Sequence, residues 1–328
     1  MQELRGEAFV TAVWRPLPTL TVEAGIRHEV SKITSTGDVV ATDRFSFPKP
    51  RILTSWSPDA ADQLQFRAER EVGQLNFDDF TSSSGQVGTG GNAEHGGNPQ
   101  LTPQQDWVVE AGYERRFWNG GDISVTARRY WIDNVLDRAP ACGALLPSGA
   151  CDPTQEFDAP GNIGPGHRDE LAAGLTLPTD KLGLKGGLFT ARSTWHWSSV
   201  IDPSTHQARE ISGQHPLDAE MHFTQGLPRL KSTWGFDYYW LWRQTYYRFN
   251  EIDTDELHSY LSLFAEYKPR PDFTLRFEVD NALARGFQHT RAFYNPARDT
   301  PGAALVETDR RYPFFPPILY IRARKTFG

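Results

Sequence analysis

The sequence predicts an all-β chain: a transmembrane antiparallel β-barrel meander of about thirteen strands, forming part of a barrel. Three observations carry that expectation. Apolar residues recur with period two, and the helical period is almost absent. Short Pro/Gly/Asp turns alternate with long loops, so that all the long loops fall at one end of the meander. The face opposite each apolar face carries several charges, which suits a water-filled lumen.

The strands are expected to begin near Arg5, Thr19, Arg44, Gln63, Asp106, Asp122, Arg168, Gly186, His215, Lys231, Asp255, Asp272 and Phe315. The first pair turns at residues 16–18, and in its second member Leu20, Val22, Ala24 and Ile26 alternate with Thr21, Glu23, Gly25 and Arg27. The next pair turns at 58–62, after which Leu64, Phe66 and Ala68 oppose Gln65, Arg67 and Glu69. Turns at 119–122, 178–183 and 226–229 join the following three pairs. In the last of these, Trp234, Phe236, Tyr238, Trp240 and Trp242 share a face against Thr233, Gly235, Asp237 and Arg243. Leu257, Leu261, Leu263, Ala265 and Tyr267 then alternate with His258, Tyr260, Ser262, Glu266 and Lys268. Beyond a turn at 269–272, Phe273, Leu275, Phe277 and Val279 oppose Thr274, Arg276, Glu278 and Asp280. The long loops are residues 76–105, 139–166, 202–214 and 284–313.

Competing classes fit less well. A propeller needs a repeat of about 40–50 residues, and none is visible; sandwich strands are usually shorter than these alternations of roughly twelve residues. No apolar run reaches the length of a membrane-crossing helix, the nearest being residues 236–242. A net charge of −7 without a basic cluster argues against nucleic acid as a partner. The residues after Met1 lack a basic region followed by an apolar stretch. The chain is therefore expected to stay in the cytoplasm or to be the downstream piece of something longer. Cys142 and Cys151 lie in a Gly/Pro/Ala-rich loop. In a cytosolic protein they read as two unrelated thiols. In an exported one they read as a disulfide worth about 2–3 kcal/mol. The nine His are dispersed, two Cys are too few for zinc, and the Gly-rich stretch 85–97 opens no helix. Neither enzyme, cofactor nor metal site is expected, and Asp78 and Asp79 read as solvated loop carboxylates.

Several stretches resemble the C-terminal barrel of the TonB-dependent outer-membrane receptors. Residues 98–107, from Asn98-Pro99-Gln100-Leu101 to Trp107, are similar to the family's "NPxLxPE…W" stretch, with Gln104 in place of Glu. Glu110-Ala111-Gly112-Tyr113-Glu114 looks like its "ExGYE" strand. Asn162-Ile163-Gly164 with residues 174–178, and then Val279-Asp280-Asn281-Ala282-Leu283, resemble two later motifs. Residues 320–327, bounded by Tyr320 and Phe327, look like the terminal strand that serves as the assembly signal read by the barrel assembly machinery.

The resemblance implies a receptor of about 22 strands in the cell outer membrane, with lipid around it. It also implies a plug domain in the lumen, contacted by the TonB system; no plug is recognisable in this sequence. Lumen-facing Glu23, Arg27, Arg67, Glu110, Arg276 and Glu278 are expected to hydrate the wall and contact that plug. The implied function is active uptake of a scarce small-molecule ligand: a siderophore, cobalamin or carbohydrate. A passive porin-like or structural barrel and a soluble β-rich binding module are the alternatives. Phe77, Phe80, Tyr246, Tyr247, Phe293 and Tyr294 are the candidate ligand-stacking residues. The competing role for them is the interfacial aromatic girdle.

Overall fold

The computed structural model of the chain describes residues 2–35, 41–76, 83–84, 94–95, 97–98, 100–142, 145–149, 152, 156–295, 297–298 and 302–327. Among them are 22 strands. The first four are β1 (Gln2–Leu17), β2 (Leu20–Ser35), β3 (Ala41–Trp56) and β4 (Asp62–Val72). A long loop follows with two short pieces, β5 (Ser83–Ser84) and β6 (Glu94–His95). Next come β7 (Gln105–Phe117), β8 (Gly121–Ile132), the loop strands β9 (Leu136–Cys142) and β10 (Glu156–Asn162), and then β11 (Gly166–Pro178) and β12 (Gly187–Ile201). The chain continues through β13 (Ala208–Arg209), β14 (Leu217–Leu227), β15 (Ser232–Tyr239), β16 (Trp242–Tyr247), β17 (Glu251–Leu257), β18 (Tyr260–Arg270) and β19 (Phe273–Asp280). It ends with β20 (Phe287–Asn295), β21 (Ala304–Arg311) and β22 (Ile318–Lys325).

Thirteen strands form one continuous antiparallel path, β1-β2-β3-β4-β7-β8-β11-β12-β14-β15-β18-β19-β22, with β13 as a short flap on β12. Twelve of these thirteen begin within about three residues of the expected starts. The path is open among the described residues: β1 pairs there with β2 alone and β22 with β19 alone. Two expectations change. The strand expected from Asp255 is two elements, β17 and β18, divided at His258 and Ser259. The aromatic alternation from Trp234 to Trp242 likewise spans a break: β15 ends at Tyr239, and Trp240 and Leu241 belong to no strand before β16 begins at Trp242. The long loops are also structured. They supply two further four-stranded sheets, β5-β6-β10-β9 and β16-β17-β20-β21.

Alternation gives the wall its two solvents. Outward residues such as Val30, Ile52, Val125, Leu171, Leu263, Phe277 and Ile321 are exposed and apolar. Exposed Trp14, Trp56, Trp118, Trp234 and Tyr267 mark the turn end, and Trp107, Trp131 and Trp197 the loop end. From Trp107 to Trp118 the chain rises about 36 Å, or roughly 27 Å across a bilayer at a tilt of about 40°, close to an outer-membrane apolar band. The inward face is a ladder of ion pairs. Glu29 receives Arg5 and Lys49, both at 2.6 Å, and Glu69 receives Arg51 at 3.3 Å. Glu110 joins Arg67 at 3.2 Å to Arg128, and Glu170 takes Arg128 at 3.3 Å and Arg168 at 3.2 Å. Near the other edge, Glu278 bridges Arg276 at 2.9 Å and Arg322 at 3.6 Å. The expected lumen-facing residues thus lie on the inward face: Arg67 pairs with Glu110 and Arg276 with Glu278, while Glu23 pairs with Arg51 at 3.8 Å and Arg27 with Glu7 at 3.3 Å.

One glycine fixes the local wall. Gly235 lies opposite Phe264, whose ring in turn carries the Arg276 guanidinium 4.1 Å from its centroid. A Cβ at Gly235 would fall 2.1 Å from the Phe223 carbonyl oxygen and 2.8 Å from the Phe264 ring. Gly235→Ala is therefore expected to cost about 1–3 kcal/mol through overpacking. Urea unfolding in detergent measures this, with Gly226→Ala as the control, since a Cβ there meets only the Gly186 carbonyl oxygen at 3.8 Å.

Candidate functional site

The loop end is anchored by an apolar cluster. Val108, Tyr130, Ile132, Val135 and Val200 are buried together, with Ile163 and Ile211 packed on them. Two of the sequence motifs meet beside it. The Asn162 side chain donates to the Thr102 carbonyl at 2.9 Å and accepts from the Thr102 amide at 2.9 Å. Asn98 donates to the Pro160 carbonyl at 3.0 Å, and Leu101 is fully buried. A third motif works the same way on the far side. Asn281, at φ 55°, donates to the Phe315 carbonyl at 2.6 Å and accepts from the Arg285 amide at 2.7 Å. These asparagines satisfy backbone groups of the loop region, at Thr102, Phe315 and Arg285 outside any strand and at Pro160 within β10, which a buried peptide group requires.

Above this anchor, a buried ionic knot ties four loops together. Asp202 accepts from the Ser204 and Thr205 amides at 2.8 and 3.0 Å, from Arg209 Nε at 2.8 Å and from Arg298 Nη2 at 3.0 Å. Burial opposes ionisation of Asp202, but the Thr205 amide, Arg298 and the Ser204 amide outweigh it and hold the carboxyl below its ordinary range. Arg209 also donates to Asp137 at 2.9 Å, and Asp137 accepts from the Ser212 amide at 3.1 Å. Tyr247 lies between the two guanidinium groups, 4.6 Å from Arg209 and 6.0 Å from Arg298, and donates to Glu210 at 3.1 Å. Burial, followed by the Glu210 charge, pushes its hydroxyl up to about 12. Asp158 is buried and accepts from the Phe249 amide at 3.1 Å; burial pushes its carboxyl up to about 6.

The candidate aromatic residues divide. Tyr246 and Tyr247 lie on β16 and Phe293 and Tyr294 on β20, strands of one loop sheet that β17 separates, whereas Phe77 and Phe80, like Asp78, Asp79 and residues 85–93, lie outside the described residues. Tyr246 packs its ring on Gly213, and Phe293 carries the Arg291 guanidinium at 4.7 Å. Tyr320 faces inward, covered by Arg322 at 5.1 Å, and Phe327 is exposed beyond β22. Cys142 is disulfide-bonded; Cys151, the other cysteine of the sequence, lies outside the described residues.

An open cleft of about 640 Å³ lies between the upper ends of β12, β14 and β15 and the base of the β16–β17 hairpin. Tyr239, Trp240, Trp242 and Tyr260 give it aromatic walls, and Arg192 and Arg285 give it positive charge. Glu220 is matched by Arg192 at 4.0 Å, and Asp218 by His215 at 3.0 Å. Arg285 is different: its Nε is buried with no hydrogen-bond partner among the described residues, and burial lowers its proton affinity. Arg285 follows the Asn281 motif by four positions, and no local pattern of the sequence marks it.

Two consequences can be measured. Asp202→Ala leaves buried Arg209 and Arg298 undercompensated, at a cost of about 3–5 kcal/mol. Hydrogen exchange should speed up by two orders of magnitude or more at the Ser204, Thr205 and Phe249 amides, while the wall strands keep their protection. Asp158, with its folded-state proton affinity raised from 3.8 to about 6, stabilises the fold below pH 3.8, and that contribution is lost as pH rises through about 6. Asp158→Asn should therefore match the wild type in urea unfolding at pH 3.5 and exceed it at pH 7.5.

Comparison with known proteins agrees with this architecture. In solved structures, the chain aligns with the ferric enterobactin receptor PfeA of Pseudomonas aeruginosa, solved with enterobactin, at a TM-score of 0.60 and 15% identity over 98% of this chain and 45% of that one. The pyoverdine outer-membrane receptor FpvA of the same organism aligns at 0.60 and 14% identity, over 99% and 42%. The siderophore receptor PiuA of Acinetobacter baumannii aligns at 0.58 and 14%, over 99% and 43%. This chain thus spans less than half the length of those receptors. A search of curated proteins finds no match. Residues 4–282 match the family described as TonB dependent receptor-like, beta-barrel. The chain belongs to the TonB-dependent receptor β-barrel family, whose members are outer-membrane receptors and transporters of small-molecule ligands such as siderophores.

Proposed function

We propose that the chain is the barrel portion of an outer-membrane receptor for active uptake of a scarce ligand, and that the ligand is a ferric siderophore. The observation that carries the ligand class is the aromatic cleft with Arg285, whose guanidinium lies 5.5 Å over the Tyr260 ring and whose buried Nε has no hydrogen-bond partner among the described residues. A buried guanidinium nitrogen without an acceptor calls for an anionic oxygen. A catecholate complex supplies such oxygens together with rings for Tyr239, Trp240, Trp242 and Tyr260. A neutral sugar would stack equally well but leave Arg285 without an anionic partner. The cleft is of a size that suits a compact ligand. Energised release would run through a plug domain seated on the inward ion-pair ladder and pulled by the TonB system.

Titration of the protein in detergent with ferric enterobactin, followed by tryptophan fluorescence, tests the ligand class. Saturable quenching is expected, with Arg285→Gln weakening binding about tenfold or more. Absence of quenching, or equal affinity of the variant, overturns the catecholate reading. Quenching by oligosaccharide alone would favour a carbohydrate receptor. Transport is tested separately in cells carrying the whole receptor: uptake should stop when TonB is deleted, and uptake that persists marks a passive pore.

A further inference from the structure

The β16-β17-β20-β21 sheet at the loop end carries a second constellation, apart from both the cleft and the knot. Strand periodicity puts Asp253 and Asp255 on one face of β17, and register sets His289 of β20 directly opposite Asp255. His289 Nδ1 lies 2.7 Å from Asp255 Oδ1 and 3.5 Å from Asp253 Oδ1. The three donor atoms all lie within 4.8 Å of one another, and all three side chains are mostly buried. No metal-binding spacing in the sequence announces the cluster, since 34 positions separate Asp255 from His289.

Two observations distinguish this cluster from a simple imidazole–carboxylate pair. The first is unbalanced charge. Other arginines share the face, but Arg291 is taken by Glu251 and Arg311 by Asp309 at 2.9 Å. Among the described residues no Lys or Arg forms an ion pair with Asp253 or Asp255; Arg291 and Arg248 act on Asp253 only at longer range, and His289 is the one cation-forming group in contact with both carboxylates. The second is an orphaned acceptor. Asp253 Oδ1, the oxygen facing His289, is buried and receives no hydrogen bond from the described residues, whereas Asp255 also accepts from Gln244 at 3.3 Å. A buried carboxylate oxygen without a donor requires a partner that the protein does not supply.

We infer that Asp253, Asp255 and His289 form a binding site for a first-row divalent cation, with Zn²⁺ the best match to two carboxylate oxygens and one imidazole nitrogen. In a tetrahedral shell with bonds of about 2.1 Å, neighbouring ligand atoms stand about 3.4 Å apart. The His289–Asp253 separation of 3.5 Å already meets that spacing. The His289–Asp255 contact of 2.7 Å opens by roughly 0.7 Å as a cation replaces the shared proton. The fourth position is left to water. Such an ion cross-links two long loops, because β17 belongs to residues 240–259 and β20 to residues 281–317. The site stands independently of the siderophore reading.

Isothermal titration of the chelator-treated protein with Zn²⁺ tests the assignment. One saturable site per chain is expected, weakened at least tenfold in Asp253→Asn and in His289→Gln. Should either variant fail to fold, the wild type alone decides. Co²⁺ bound at this site must give the intense visible absorption of a low-coordinate ion, bleached by added Zn²⁺. Co²⁺ that keeps the spectrum of its hydrated ion, or folded variants that bind Zn²⁺ as tightly as the wild type, overturns the proposal. Binding of Ca²⁺ in place of Zn²⁺ overturns the assigned metal class.

Discussion

Everything in this molecule depends on the inter-strand hydrogen-bond ladder. Hydrocarbon offers no partner to a peptide group, and each unsatisfied group there costs several kcal/mol. Along the membrane-crossing part of the wall the backbone therefore has one solution, a continuous antiparallel ladder, and thirteen strands follow it without a crossover. Once the ladder is set, side-chain direction follows from pleating alone. Apolar residues that a soluble protein would hide are turned to lipid, and charged ones are turned to the lumen, where they neutralise one another in the Glu29, Glu110, Glu170 and Glu278 clusters.

Where the chain leaves the membrane the constraint relaxes, and the chemistry changes character. Loop backbone is satisfied by asparagine side chains at Asn98, Asn162 and Asn281 and by the acceptors of Asp158 and Asp202. The knot around Asp202 takes donors from its own loop and from residue 298 and, through Arg209, reaches Asp137. The loops thus form a connected superstructure on the wall, and the aromatic cleft lies at the junction between the two.

The wall is legible in the sequence because its two faces meet different solvents at every second residue, a signal repeated in each strand. His258 and Ser259 mark where that legibility fails. Leu257 and Leu261 keep one parity across them, interrupted only by Ser259, but Leu257 pairs with Phe287 in a loop sheet while Tyr260 pairs with Tyr239 in the wall. Period two reports that a segment is extended and does not report which sheet it joins. The loop sheets escape notice for the same reason, since β17 is acidic on one face and has little apolar alternation to reveal it. Tyr246, Tyr247, Phe293 and Tyr294 are legible as a group of loop aromatics. Arg285 and the Asp253–Asp255–His289 cluster depend on long-range register, which no local pattern encodes.

The open edges carry a consequence of parity. Strand direction reverses at each step, so β1 and β22, the first and thirteenth along the path, run the same way. Any set of strands that closes this wall into an all-antiparallel barrel must start against β1 and finish against β22, and so must contain an odd number of strands. Two copies of the wall related by rotation about the barrel axis meet the count, since thirteen is odd, but not the direction: they would meet in parallel pairs at both seams.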